Sequence, residues 1–577
     1  MLDDTLPRTL GTLVARFSDP AHRGDRVEAW LFEDTSARRA AEAQLAAAGV
    51  TARLRSAYKP LVFFFQEEAP ADIRAATVRL PAHAAAAVQR FSLEAYPLAG
   101  LLGSAQLRIE TGTEQLDHIV HLQTASGASE HRVFAPNRVR TDHLGASILT
   151  PCGWLRHWRA DGTRVEDAML ETEYEQVFAR VMAALTAYPW PADTPFFDVL
   201  AIDATVPGIA HRLGYGDEVI STGEALHEDF YFSILEWLKH RAGLPAADRT
   251  LQPGQIVPDI RTADGPARVR VALRAGDTTN TFPAAPGVRG LAGLDAADRP
   301  LSPAQIGDAL AELGGAARCF TSYRGRPIPA RLFPGEAPAV VITSGQHANE
   351  TSGVIGALRA ARELRTRSIA FAVAPCDNPD GYALHHQLRA GNPRHMHHAA
   401  RYTALGDDLE SRTTAPFYEK QARIDLIRKT GASLHINLHG YPAHEWTRPL
   451  TGYLPRGFEL WTIPKGFFLI LRHHSGLAVR ARRFLEALSA HLAEDAVLRD
   501  FNARQLATWQ AHAGSVPFPV LNGIPCMITE SPAQPTAFQL ITEYPDETIY
   551  GDAFRLAHTT QMRATLAAVT LWRSMGA

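Results

Sequence analysis

From residue 315 onward, short apolar runs alternate with stretches of helical periodicity, and no other feature limits the fold as much. Ala339-Val-Val-Ile-Thr reads as a buried strand, and a helix is expected from about 351 to 367. Ile369-Ala-Phe-Ala-Val-Ala is a second strand, stopped by Pro375, and Ala432-Ser-Leu-His-Ile-Asn-Leu-His is a third. A long helix near 476–494, a strand Pro525-Cys-Met-Ile-Thr-Glu and a closing helix at about 551–573 complete the series. Strands separated by helices form an α/β layer with a mostly parallel or mixed sheet flanked by helices. In such sheets ligands bind beyond the carboxyl ends of the strands. Residues just past each strand are therefore the candidates for chemistry.

The first 310 residues follow no such rule. Leu61-Val-Phe-Phe-Phe and Leu107-Arg-Ile-Glu read as β-like runs among Ala-rich helical stretches, and helices are expected over Glu171 to Thr186 and Glu228 to Arg241. From 246 to 315 the chain is rich in Pro, Gly, Ala and Asp, which predicts extended structure and loops. Three regions are expected: an α+β accessory domain at 1–160, a helical and extended accessory region at 161–310, and an α/β catalytic domain at 311–577. The 577 residues are 46% hydrophobic and 21% charged, which excludes wholesale disorder. A net charge of −3 gives no electrostatic footprint for nucleic acid or an anionic bilayer. No apolar run is long enough to span a membrane. Met1-Leu-Asp-Asp-Thr-Leu-Pro-Arg lacks the basic and apolar segments of a secretory leader, so the expected location is cytoplasmic. Four scattered cysteines without a CxxC pair argue against a disulfide scaffold, and neither GxSxG nor GxxxxGK occurs.

Chemistry concentrates at three strand ends. Gly345-Gln-His-Ala-Asn-Glu350 puts an imidazole and a carboxylate three residues apart on a loop entering a helix, and both are ordinary zinc ligands. In the third strand, alternation sends Leu434, Ile436 and Leu438 to one face and His435, Asn437 and His439 to the other. His435 lies about 13 Å upstream of His439, too far to share its ion. Position favours His439, with His435 a hydrogen-bonded histidine inside the sheet. His347, Glu350 and His439 would hold one zinc per chain and leave a corner for water. Glu530, ending the strand Cys526-Met-Ile-Thr-Glu, is the expected general base.

These residues resemble the zinc carboxypeptidase superfamily, which includes the aspartoacylase and succinylglutamate desuccinylase branch. Tyr323-Arg-Gly-Arg-Pro-Ile, His347 with Glu350, Asn378-Pro-Asp-Gly-Tyr382, Ile436-Asn-Leu-His-Gly-Tyr441 and Ile528-Thr-Glu530 come in that family's order over about 315–575. The resemblance implies a zinc-dependent hydrolase of peptide or small amide bonds. It makes Arg401 the oxyanion-polarising arginine and Glu530 the base that later protonates the leaving amine. Where the family's Asn-Arg pair grips a substrate carboxylate, this chain has Glu410-Ser411, with Arg412 one place along as the substitute. Tyr441 or Tyr453 replaces the family's tyrosine. A deacylase of N-acyl amino acids or a catalytically silent peptide-binding domain are the alternatives.

Other clusters have plainer readings. The run His385, His386, His395, His397 and His398 predicts an exposed or pocket-rim loop, and His473-His474 a helix start. Glu224-Ala-Leu-His-Glu-Asp229 begins an amphipathic helix and predicts capping and an interdomain contact. Cys376 and Cys526 are expected as buried small hydrophobes.

Overall fold

The structure is a computed structural model that describes residues 1–279, 281–458 and 461–576. A nine-stranded sheet organises the C-terminal half. At its centre Ile369–Ala374, Glu336–Ser344, Leu434–Pro442 and Phe538–Glu547 run parallel in that spatial order. Alternation along these strands builds two cores. Val340, Ile342, Leu434, Ile436 and Leu438 pack with the helices Ser352–Leu364 and Asp552–Ser574, whereas Val341, Ala372 and Ala374 face the helix Lys420–Thr430. Gly353 allows one of these helices to sit close, since a Cβ there would lie 2.9 Å from the Leu438 carbonyl oxygen.

Beyond Phe538–Glu547 the sheet reverses. Phe468–His473 is antiparallel to it, and Ile524–Glu530 runs parallel to Phe468–His473. The sheet is thus mixed, and five of its strands, Ala316–Thr321, Pro327–Phe333, Phe468–His473, Val520–Leu521 and Phe538–Glu547, are not anticipated from the sequence. His473 ends a strand rather than starting a helix.

The N-terminal half contains three four-stranded sheets. Their pairing crosses the boundary expected at 160. Gly153–Trp158 forms a hairpin with Arg164–Leu170 and also pairs with Arg26–Leu31. Leu2–Leu6 pairs with Ala267–Arg274. Residues such as Val288, Leu291, Leu294 and Leu301 belong to the C-terminal core, ahead of the boundary expected at 310. The apolar run at 61–65 is helical, within Pro60–Glu67, with proline at its first position where the missing N–H costs nothing.

One element ties the halves together. The helix Thr222–Arg241, here called the bridging helix, is capped by Ser221, whose side chain accepts the Glu224 N–H. It is buried on nearly every side rather than amphipathic, and it packs in a core shared with Trp446, Leu450 and Ile463 from the C-terminal half. No described helix is long and apolar enough to cross a membrane.

Candidate active site

His347 follows Glu336–Ser344 by three residues, after Gly345 turns the chain at φ +65°. The Glu350 N–H donates to the His347 carbonyl at 3.2 Å, and this turn brings both side chains to one side. His439 reaches the same point from the neighbouring strand. His347 Nδ1 lies 2.9 Å from Glu350 Oε1, His439 Nδ1 lies 3.0 Å from Glu350 Oε2, and the two Nδ1 atoms are 3.0 Å apart. All three residues are buried. Two imidazole nitrogens and a carboxylate oxygen facing one point match a zinc donor set. Metal–ligand bonds of about 2.0–2.2 Å give donor spacings of about 3.3–3.5 Å around a tetrahedron, a few tenths beyond those observed.

The surroundings hold each donor in place. The Gly440 N–H donates to Glu350 Oε2 at 3.0 Å, and Gln561 Nε2 donates to the His439 carbonyl at 2.7 Å. Gly440 has no room for a side chain, because a Cβ would fall 2.0 Å from Asp546 Oδ1. His347 Nε2 faces Asp408 Oδ2 at 3.6 Å, and Gln346 Nε2 donates to the other Asp408 oxygen at 3.2 Å. A carboxylate behind a ligating imidazole fixes its tautomer and orientation. Burial raises the Glu350 carboxyl, but His347, Arg401 and His439 more than reverse this and hold it well below the usual range.

Next to these donors is a cavity of about 350 Å³. Arg401 lines it and donates from Nη1 to Glu350 Oε1. Arg249 and Arg472 supply further positive charge, and Trp446, Phe458 and Trp461 form an aromatic wall. Glu543 also opens onto the cavity from Phe538–Glu547, where it is the direct cross-strand neighbour of His439. Burial raises its carboxyl well above the usual range, the Glu350 charge adds to this, and Arg401 and Lys465 oppose it. Sequence reasoning missed Glu543, although Ile541-Thr542-Glu543 repeats the Ile-Thr-Glu tripeptide of 528–530.

Glu530 is elsewhere. It is exposed and accepts a hydrogen bond from Ser475 Oγ at 2.8 Å. Its cross-strand partner is His473, which pairs with Phe538, which pairs with Leu434 at the amino end of the strand carrying His439. Five residues of strand separate those levels, about 17 Å. The expectation fails because Ile524–Glu530 runs against the central strands, so its carboxyl end lies at the opposite edge of the sheet.

Arg412 does not reach the cavity either. It is buried, donating to both Asp407 oxygens at 2.9 and 2.7 Å and to Glu419 Oε2 at 2.7 Å. Glu410 does line the cavity, with its oxygens held at 2.8 Å by Arg472 and Arg423. Burial raises its carboxyl, but these arginines outweigh that and bring it to about 2. The Tyr441 ring lines the cavity while its hydroxyl is engaged, donating to the Gly466 carbonyl at 2.6 Å and accepting the Lys465 N–H at 3.0 Å. Tyr453 is buried beneath the Arg90 guanidinium, away from the cavity. His435 lies inside the sheet, 2.9 Å from Thr343 Oγ1. The run expected as an exposed loop is instead buried or half-buried against the N-terminal half, and among its five histidines His398 alone lines the cavity. Cys376 and Cys526 are buried, which raises both thiols.

Residues 317–413 match the zinc carboxypeptidase family model. Over those residues the chain is similar to zinc carboxypeptidases. The matched segment includes His347, Glu350 and Arg401 and ends before His439. No curated protein matches the chain. Among solved structures, a metallo-carboxypeptidase from Burkholderia cenocepacia is similar at 14% identity and TM-score 0.29, over 55% of this chain and 77% of that one. An aspartoacylase family protein from Mesorhizobium loti is similar at 13% identity and TM-score 0.25, over 44% of this chain and 67% of that one. Among the described residues a second group of metal-compatible side chains, His22, Asp25 and His157, lies in the N-terminal half.

Proposed function

We propose that the protein is a hydrolase of peptide or small amide bonds that uses one zinc ion held by His347, Glu350 and His439. The observation that carries this reading is the convergence of those three donors beside Glu543. When bound, zinc makes a coordinated water acidic enough to serve as a nucleophile near neutral pH. Glu543 opens onto the cavity one strand from His439, where a general base is needed to take that proton and pass it to the leaving nitrogen. Arg401 supplies fixed positive charge for the carbonyl oxygen as negative charge develops on it. The Tyr441 ring contacts substrate through its face, because its hydroxyl is already paired. This role for Glu543 replaces the one expected of Glu530.

The deacylase alternative has its own support. Arg412 is committed to Asp407 and Glu419, and Glu410 faces the cavity, so the usual grip on a free C-terminal carboxylate is lacking. Small amides fit this arrangement better than long peptides with a free end. The silent-domain alternative gives no use for Glu543. We place the protein in the cytoplasm, where four free cysteines are at home, and with no nucleic-acid or membrane partner.

Metal analysis and a panel of blocked and unblocked peptide amides and N-acyl amino acids test the proposal. The wild type should contain one zinc per chain and turn over at least one member of the panel. His439→Ala should lose the metal, and Glu543→Gln should keep it and lose turnover. Equal turnover by wild type and Glu543→Gln would sink the assignment.

A further inference from the structure

Four carboxylates lie on the bridging helix, Glu224, Glu228, Asp229 and Glu236, and all are buried. Three of them hold one stretch of chain, the segment that follows the strand of His439. Glu224 Oε1 is 2.7 Å from His444 Nε2. Asp229 accepts the Leu450 N–H at 3.0 Å and the Thr451 hydroxyl at 2.6 Å. Glu236 accepts from Arg448 at 3.0 Å and from Arg456 at 2.7 Å. A buried carboxylate is either paired and hydrogen-bonded or kept protonated, and Glu228, with no hydrogen-bond partner among the described residues, is pushed well above the usual carboxylate range by burial. Here three of the four acids each have a partner within 444–456, and Glu224 also accepts the Met396 N–H at 3.0 Å.

The same helix backs the aromatic wall. Phe232 stacks on Trp446 with ring centroids 5.9 Å apart and planes 15° apart, and its ring centroid is 5.5 Å from that of Phe458. Trp446 and Phe458 line the cavity with Trp461, whose carbonyl accepts the Trp446 indole N–H at 3.2 Å. Ile470 and Ile541 come from the sheet, so this part of the cavity is apolar, and Arg401, Arg472 and Glu543 are among the polar groups beside it.

We infer that the N-terminal half sets substrate selectivity: through the bridging helix it holds an aromatic wall on the cavity, and that wall takes an aromatic or bulky apolar side chain. On the hydrolase reading above, this side chain lies beside the scissile amide. Trp446 and Phe458 contact it, and Asp229 and Glu236 are positioning residues that act through 444–456. Ring-on-ring contact plus burial of the side chain makes a phenylalanine ligand bind about tenfold tighter than an alanine ligand.

Calorimetric titration of the full-length, zinc-loaded protein with N-acetyl-phenylalanine amide and N-acetyl-alanine amide reads this ratio without turnover. The wild type should prefer the phenylalanine probe by about tenfold. Trp446→Ala should bring the ratio below about threefold, and Trp446→Phe should restore most of it. Arg456→Gln removes one of the two arginines that tie the segment to Glu236, and its tie to Asp142, at a residue that does not line the cavity. It should lower the ratio as well with zinc content unchanged and, because Asp142 and Glu236 each lose an arginine, with a lower melting temperature but a folded protein at the titration temperature. A wild-type ratio near one, no binding of either probe, or a ratio unmoved by Arg456→Gln overturns the inference. Glu543→Gln should keep the wild-type ratio whether or not it turns anything over, so failure of the hydrolase proposal and failure of this one are read separately.

Discussion

Glu543 sits near two other carboxyl groups, Glu350 and Asp546, and its proton is favoured by burial before either of them is counted. Loss of a positioned general base typically costs about 10²–10⁴ in rate. Glu543→Gln is therefore expected to lower kcat by about 10²–10⁴ with zinc retained, and Glu530→Gln to leave kcat within about twofold, both measured by steady-state kinetics on the best member of the panel. Arg412 belongs to a different account. Its removal strands Asp407 and Glu419 inside the protein, and breaking a buried ion pair costs about 3–5 kcal/mol. Arg412→Met should lower stability by about that amount in denaturant titration, while the Michaelis constant of the soluble fraction stays close to wild type. His347, Glu350 and His439 were legible because each stands where strand and loop periodicity alone put a side chain at a sheet end. The proposed base was not, because two identical tripeptides compete for that role. Only the direction of the strand separates them, and neither tripeptide encodes its own direction.

At the scale of elements, the helix Ala496–Ala513 docks on the N-terminal half through His512. His512 Nδ1–H donates to the Ser92 carbonyl at 3.2 Å, and Nε2 accepts the Ala99 N–H at 3.2 Å. A second proton would face that N–H. Burial is the main cause that holds the imidazole down to about 3. Its folded value is below the unfolded one, so between about 6.5 and 3 the unfolded chain takes the proton and folding stability falls as pH falls. The difference in unfolding free energy between wild type and His512→Gln should shrink by about 1.4 kcal/mol per pH unit in that window, measured by urea titration at several pH values. A pH-independent difference would contradict the neutral pairing. Helix positions in the C-terminal half were readable within a few residues, since their apolar faces pack on one sheet. The bridging helix was not read correctly, because Phe230, Phe232, Leu235 and Leu238 suggest a single buried stripe while the opposite face, with its acids, is buried as well.

For the whole molecule, the two halves share a core. Leu384, Trp446, Leu450, Tyr453, Ile463 and Trp509 come from the C-terminal half and pack in the same cluster as Phe230 and Ile234. Each large apolar side chain uncovered costs about 1.5–3 kcal/mol, and six of them together reach the usual total stability of about 5–15 kcal/mol. A fragment spanning 311–577 should therefore fail to give a monodisperse folded species in size-exclusion chromatography and near-ultraviolet circular dichroism, despite containing all three proposed zinc ligands. Composition shifts suggest boundaries at 160 and 310 because they detect loops, and the loop near 160 joins two paired strands of one sheet, Gly153–Trp158 and Arg164–Leu170.

The bridging helix also constrains how such a protein can change over generations. Its acids answer a histidine, a pair of arginines and a threonine that lie more than two hundred residues away in the chain. A new loop beside the catalytic groups, brought in by recombination, would leave those acids facing the wrong chemistry. Diversification of this protein must therefore proceed by paired substitutions in both halves, and neither half is a portable cassette.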